Sequence, residues 1–128
     1  MDAVAINKKY RNTVVDINAV SIIQDDDQKV SIVQVGTGFF IEGNKIVTSA
    51  HVVLLPVDVQ RIPSGTIKGI VPVERILVTV YHVNGTEDNF VYNAKIIGID
   101  RMVDIALLDL LPTQGSPKII CQQHLQWI

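Results

Sequence analysis

Three histidines (His51, His82, His124), one cysteine (Cys121) and five serines (Ser21, Ser31, Ser49, Ser64, Ser116) are the side chains of this chain suited to nucleophilic or acid–base work. A serine hydroxyl is a weak nucleophile at neutral pH and needs an adjacent base. Histidine, with an unperturbed pKa of about 6.5, suits that task. A carboxylate on the other ring nitrogen fixes the tautomer and stabilises the imidazolium that forms. Two aspartates, Asp100 and Asp104, stand just before the apolar run Ile105-Ala106-Leu107-Leu108. Taken alone, either is an ordinary turn residue before a buried strand. Ser64, in Pro63-Ser64-Gly65, has the setting of a turn serine. His82, beside Tyr81, reads as a surface or cross-strand residue because no carboxylate-bearing motif is placed to orient it. Cys121 and His124 form a lone C-x-x-H near the end of the sequence, without the further ligands of a metal site or the acid of a catalytic set.

Composition bounds the setting. A chain of 128 residues, 48% hydrophobic and 19% charged, forms one globular domain that buries roughly two thirds of its unfolded surface. A net charge of −2 with no basic stripe argues against nucleic acid as a partner. No window approaches the ~20 apolar residues of a membrane span, and Met1–Lys9 has no apolar core of a secretory signal. A single cysteine rules out an internal disulfide and fits a reducing compartment, so a soluble cytoplasmic protein is expected. No cofactor is implied. The run Asp25-Asp26-Asp27 lacks the later glycine and glutamate of a calcium loop and reads as a solvated turn.

The elements that must position these groups are strands. Val/Ile-rich, loosely alternating segments cover 12–23, 29–35, 38–42, 45–48, 75–83 and 89–99, with 103–110 closing the series. Turn chemistry separates them: Asp25–Gln28, Glu42-Gly43-Asn44, and Asn84-Gly85, a strong hairpin signal. Residues 54–74 hold three of the five prolines and read as an irregular loop with one short strand. Short strands, tight turns and no helical period predict an all-β antiparallel barrel over 12–112, with an N-terminal arm at 1–11 and a tail at 113–128.

Two stretches carry a resemblance. Gly36-Thr37-Gly38-Phe39 followed by Thr48-Ser49-Ala50-His51-Val52 resembles the histidine box of trypsin-like serine peptidases, above all the HtrA (DegP-like) branch, where G-[ST]-G-F leads through a hairpin to T-x-A-H-V. Gly98-Ile99-Asp100-Arg101-Met102-Val103-Asp104-Ile105-Ala106-Leu107-Leu108 resembles that family's second box, V-G-x-D-x-x-x-D-[IL]-A-[LV]-[LI]. The resemblance implies a six-stranded antiparallel Greek-key barrel, the first of two in a chymotrypsin-like fold. It also implies His51 as catalytic base and Asp104 as the acid that orients it, with a polypeptide substrate.

The third family box, G-[ND]-S-G-G, does not occur in these 128 residues. Only Ser116 follows Asp104, twelve residues on and followed by Pro117. That is too early to cross a second barrel. Three readings follow. The chain is the histidine–aspartate half of a serine endopeptidase, inactive alone; or a non-catalytic β-barrel interaction module of peptidase ancestry; or a barrel completed in trans by a serine-bearing chain. Half of a two-barrel enzyme leaves an apolar face uncovered, expected near His51 and the Leu110–Ile128 tail, which predicts self-association.

Overall fold

The structure is a computed structural model, and it describes residues 13–25, 28–57, 69–71, 73–112, 115–120 and 122. Among these residues, eight strands and one short α-helix follow in order, with a 3-10 turn at Val83–Gly85 between the sixth and seventh strands: β1 (Val14–Asp25), β2 (Gln28–Glu42), β3 (Lys45–Thr48), α1 (Ala50–Val53), β4 (Leu55–Val57), β5 (Gly69–Val71), β6 (Arg75–Val80), β7 (Phe90–Asp100) and β8 (Ile105–Leu110). Six of them close a barrel in the order β1-β2-β3-β8-β7-β6, every neighbour antiparallel. The chain meanders through β1, β2 and β3, crosses by α1 and the β4/β5 pair to β6 beside β1, and returns through β7 and β8 to close on β3. This is the expected six-stranded Greek-key barrel.

The barrel closes because alternate residues point inward. Val15, Ile17, Phe40, Ile46, Val78, Val80 and Leu108 are fully enclosed, and Val52 and Val53 of α1 plug one side of the same core. Period-2 alternation shows in the strand burial, buried and half-buried by turns along β3 and β6.

Three details differ from the sequence reading. The segments expected at 29–35 and 38–42 are one continuous strand, β2, which pairs with β1 along Gln28–Phe39 and with β3 along Gly38–Glu42. Glycines at 36 and 38 let it bend from one partner to the other without ending. Second, the 54–74 stretch holds two short paired strands rather than one, with Leu55 opposite Val71 and Val57 opposite Gly69.

Third, Asn84-Gly85 is not a two-residue hairpin turn. Nine residues separate β6 from β7, and His82, Asn84 and Gly85 all take positive φ within that loop. The loop bends because it grips another segment. The Asn84 side-chain amide donates to the Lys118 carbonyl at 2.7 Å, and its oxygen accepts the Ile120 N–H at 2.7 Å. The Gln122 side chain accepts the Asn84 N–H at 2.9 Å and donates to the Tyr81 carbonyl at 3.0 Å. Satisfying those backbone groups outweighs the local preference for a tight turn.

Candidate functional site

His51 stands in the first turn of α1, immediately after β3. The helix is held from both sides. Below it, β2 must come close: a Cβ on Gly36 would lie 2.5 Å from the Val52 side chain, so only glycine lets Val52 seat against the strand. Gly38 is hemmed in from more directions, with the Val47 carbonyl and the Ile17 and Ile46 side chains all within 2.9 Å of a Cβ placed there. The Thr48 hydroxyl donates to the Thr37 carbonyl at 2.8 Å, tying the end of β3 to the bend of β2 just before the helix begins.

From the other side comes Asp104, in the turn between β7 and β8. The first N–H groups of any helix lack intrahelical partners and need acceptors. Ser49, at the N-cap position, gives no side-chain cap. Asp104 supplies the acceptors instead, from 53 residues away: its carbonyl accepts the Ala50 N–H at 3.1 Å, and Oδ1 accepts the His51 N–H at 2.8 Å. Its second carboxylate oxygen, Oδ2, lies 2.6 Å from His51 Nδ1. An ionised carboxylate only accepts, so this contact places the ring proton on Nδ1 and leaves Nε2 as the basic nitrogen. Asp104 reaches all three atoms by adopting φ +57, a left-handed conformation that aspartate tolerates better than most residues.

Nε2 has no hydrogen-bond partner among the described residues, and the His51 side chain is 61% exposed, Asp104's 48%. The bond from the His51 ring, followed by that from the His51 N–H, holds the Asp104 carboxyl below the usual aspartate range. A carboxylate that stays ionised and a ring held in one tautomer with its second nitrogen free form a positioned general base.

The other candidates fall elsewhere. Asp100 caps its own turn, Oδ1 accepting the N–H groups of Met102 at 2.9 Å and Val103 at 3.4 Å, and it does not reach His51. His82 lies in the β6–β7 loop, its Nδ1 3.2 Å from the Thr86 carbonyl and its N–H donated to the Asn89 side chain. Ser116 sits near the Leu110 end of β8, whereas Asp104 adjoins the Ile105 end. Ser64, Cys121 and His124 lie outside the described residues, as do Asp26 and Asp27 and the arm at 1–11. No group of three or more metal-type ligands occurs among the described residues, and no helix there is long and apolar enough to cross a membrane.

Sequence reasoning missed the residues that hold the base in place. That Asp104 caps α1, and that Val52 needs Gly36, are both contacts between segments distant in sequence. The glycine spacing in Gly36-Thr37-Gly38 was the one available signal.

Comparison with known proteins identifies a family and a fold. The trypsin-like peptidase domain family matches over residues 36–121, a span that includes β3, α1, β8 and both His51 and Asp104. Among solved structures, a crystal structure of Deg5 superposes with a TM-score of 0.53 at 23% identity, covering 84% of this chain and 41% of that one. The chain therefore spans under half the length of that structure. No curated protein sequence matches. On the family match and the closed six-stranded barrel, whose fold is similar to part of the Deg5 structure, this chain belongs to the trypsin-like peptidase domain family.

Proposed function

We propose that this barrel is the general-base half of a serine endopeptidase acting on polypeptides, with His51 as base, Asp104 as its orienting acid, and the nucleophilic serine and oxyanion hole supplied from outside these 128 residues. The observation that carries the reading is the 2.6 Å contact between His51 Nδ1 and Asp104 Oδ2, with Nε2 left free among the described residues. In the working site, Nε2 takes the proton of an incoming serine hydroxyl and later passes it to the leaving amine. Asp104 stays ionised and stabilises the imidazolium. The exposure of both side chains fits a site whose second wall is a separate barrel. A single cysteine in the chain supports an intracellular setting.

Alone, the barrel is expected to be inert. Residual catalysis in a triad lacking one member comes from the oxyanion hole and substrate binding, and this chain offers neither a G-[ND]-S-G-G box nor its backbone amides. The test is complementation. Residues 1–128 are co-expressed with a C-terminal barrel bearing that box and treated with a fluorophosphonate probe. Labelling of the supplied serine, lost in His51→Ala, is the expected result. Labelling that persists unchanged in His51→Ala, or stoichiometric labelling of Ser116 in the isolated chain, defeats the assignment. Failure of serine-bearing halves to bind or become labelled favours a non-catalytic interaction module.

A further inference from the structure

At the end of β8 away from Asp104, a cavity of about 370 Å³ lies between the barrel and the segment Ser116–Ile119. Asp104 adjoins Ile105, and the cavity adjoins Leu110, five residues further along the strand. At about 3.4 Å per residue the two places are roughly 17 Å apart. The cavity is therefore separate from the histidine site and does not depend on the peptidase reading.

Its walls divide by chemistry. Tyr92, Leu110, Leu111, Pro112 and Ile119 make it largely apolar. Tyr92 is buried, and its hydroxyl is already used, donated to the Pro117 carbonyl at 2.6 Å. That bond and the Asn84 clamp on Lys118 and Ile120 fix the outer wall in place. The remaining polar lining is Asn44, Ser116 and Lys118. Their side chains, an amide, a hydroxyl and an ammonium, have no hydrogen-bond or ion-pair partner among the described residues. All three can donate, one is cationic, and no acidic residue lines the cavity among the described residues. An apolar cleft with a few polar groups at its wall is the usual form of a small-molecule site.

We propose that this cavity binds a small apolar carboxylate, its hydrocarbon body against Tyr92, Leu110 and Ile119 and its carboxylate on Lys118, with Ser116 and Asn44 as further donors. At about 30 Å³ per water-sized atom, the volume holds on the order of ten to twelve heavy atoms, the size of octanoate.

The experiment titrates octanoate and 1-octanol into the full 128-residue chain by calorimetry, beside Lys118→Gln and Ser116→Phe, with circular dichroism confirming that each variant is folded. Octanoate should bind and raise Tm, and octanol should bind about tenfold more weakly, since it lacks the charge-assisted bond. Lys118→Gln should weaken octanoate about tenfold and leave octanol within about twofold. Ser116→Phe, which adds bulk at the cavity wall, should weaken both. Three results overturn the proposal: no octanoate binding at millimolar concentration by the folded chain, equal affinity for octanoate and octanol, or octanoate binding indifferent to Lys118→Gln.

Discussion

Asp104 serves the fold and, in the proposed function, the chemistry with the same carboxylate. One oxygen caps α1 at the His51 N–H, the other holds the His51 ring, and the backbone carbonyl takes the Ala50 N–H. Substitutions separate these roles. Asn keeps an acceptor for the cap and tolerates positive φ, but its amide cannot offer Nδ1 the same charged acceptor. Gly relieves the backbone and loses the cap; Ala loses the cap and strains the backbone as well. Thermal stability should therefore fall in the order wild type, Asp104→Asn, Asp104→Gly, Asp104→Ala, and a scan in which Ala matches Asn would count against the capping role. In a complemented enzyme Asp104→Asn should nonetheless reduce turnover by about 10⁴-fold, the cost of the wrong tautomer in the chymotrypsin template.

The same residue sets a pH dependence whose sign can be worked out. Its folded pKa is lowered, by the His51 ring first and the His51 N–H second. The folded state thus binds fewer protons than the unfolded chain. The stability this gives is fully present above the ordinary aspartate range and is lost as pH falls through the depressed folded value. Carboxyl carbon NMR should show Asp104 titrating below the ordinary aspartate range. His51→Ala should move it back upward but not wholly, because the backbone N–H groups of residues 50 and 51 remain as donors. An Asp104 midpoint unmoved by His51→Ala would show that the ring bond is not formed in solution.

At the scale of elements, the base is placed by how closely α1 lies on β2. Gly36→Ala puts a methyl into the Val52 side chain, and Gly38→Ala puts one against the Val47 backbone. Each should cost about 1–3 kcal/mol by overpacking. They should differ in rescue. Adding Val52→Ala to Gly36→Ala makes room and recovers part of the loss, whereas Gly38→Ala presses on a carbonyl that no side-chain change removes. Chemical denaturation of the two single variants and the double variant checks this, and no recovery in Gly36→Ala/Val52→Ala would sink the packing account. These glycines also show what was legible in the sequence. The two boxes and the strand character of nearly every element could be read from residue types in order, and the ring–carboxylate pairing followed from the resemblance those boxes carry. The merger of 29–35 with 38–42 could not, because a glycine inside a strand looks like a break until the second sheet partner that bends it is known. Asn84-Gly85 misled for a related reason: its local turn preference gave way to hydrogen bonds with Lys118, Ile120 and Gln122, more than thirty residues away.

At the scale of the whole molecule, what stands out is the apolar surface left around the site. Met102 is 96% exposed, Val103 60% and Ile105 45%, three apolar side chains flanking Asp104 in sequence. The Asx turn at Asp100 holds Met102 and Val103 outward, so this is a consequence of the turn geometry that also brings Asp104 to His51. Ile99, also exposed, lies just before that turn. Exposed apolar side chains occurring singly are ordinary, but several gathered beside one site mark an interaction surface. Exposed as they are among the described residues, they should make the isolated chain self-associate at micromolar concentration. Replacing Met102 and Val103 together by Lys should shift light scattering toward the monomer. Because both side chains point to solvent, the fold should survive, and the His51–Asp104 contact should persist in NMR titration. If self-association instead proceeds through the open edges of the β4/β5 pair, the double substitution will leave the scattering mass unchanged, and the surface beside Asp104 is then not the sticky one.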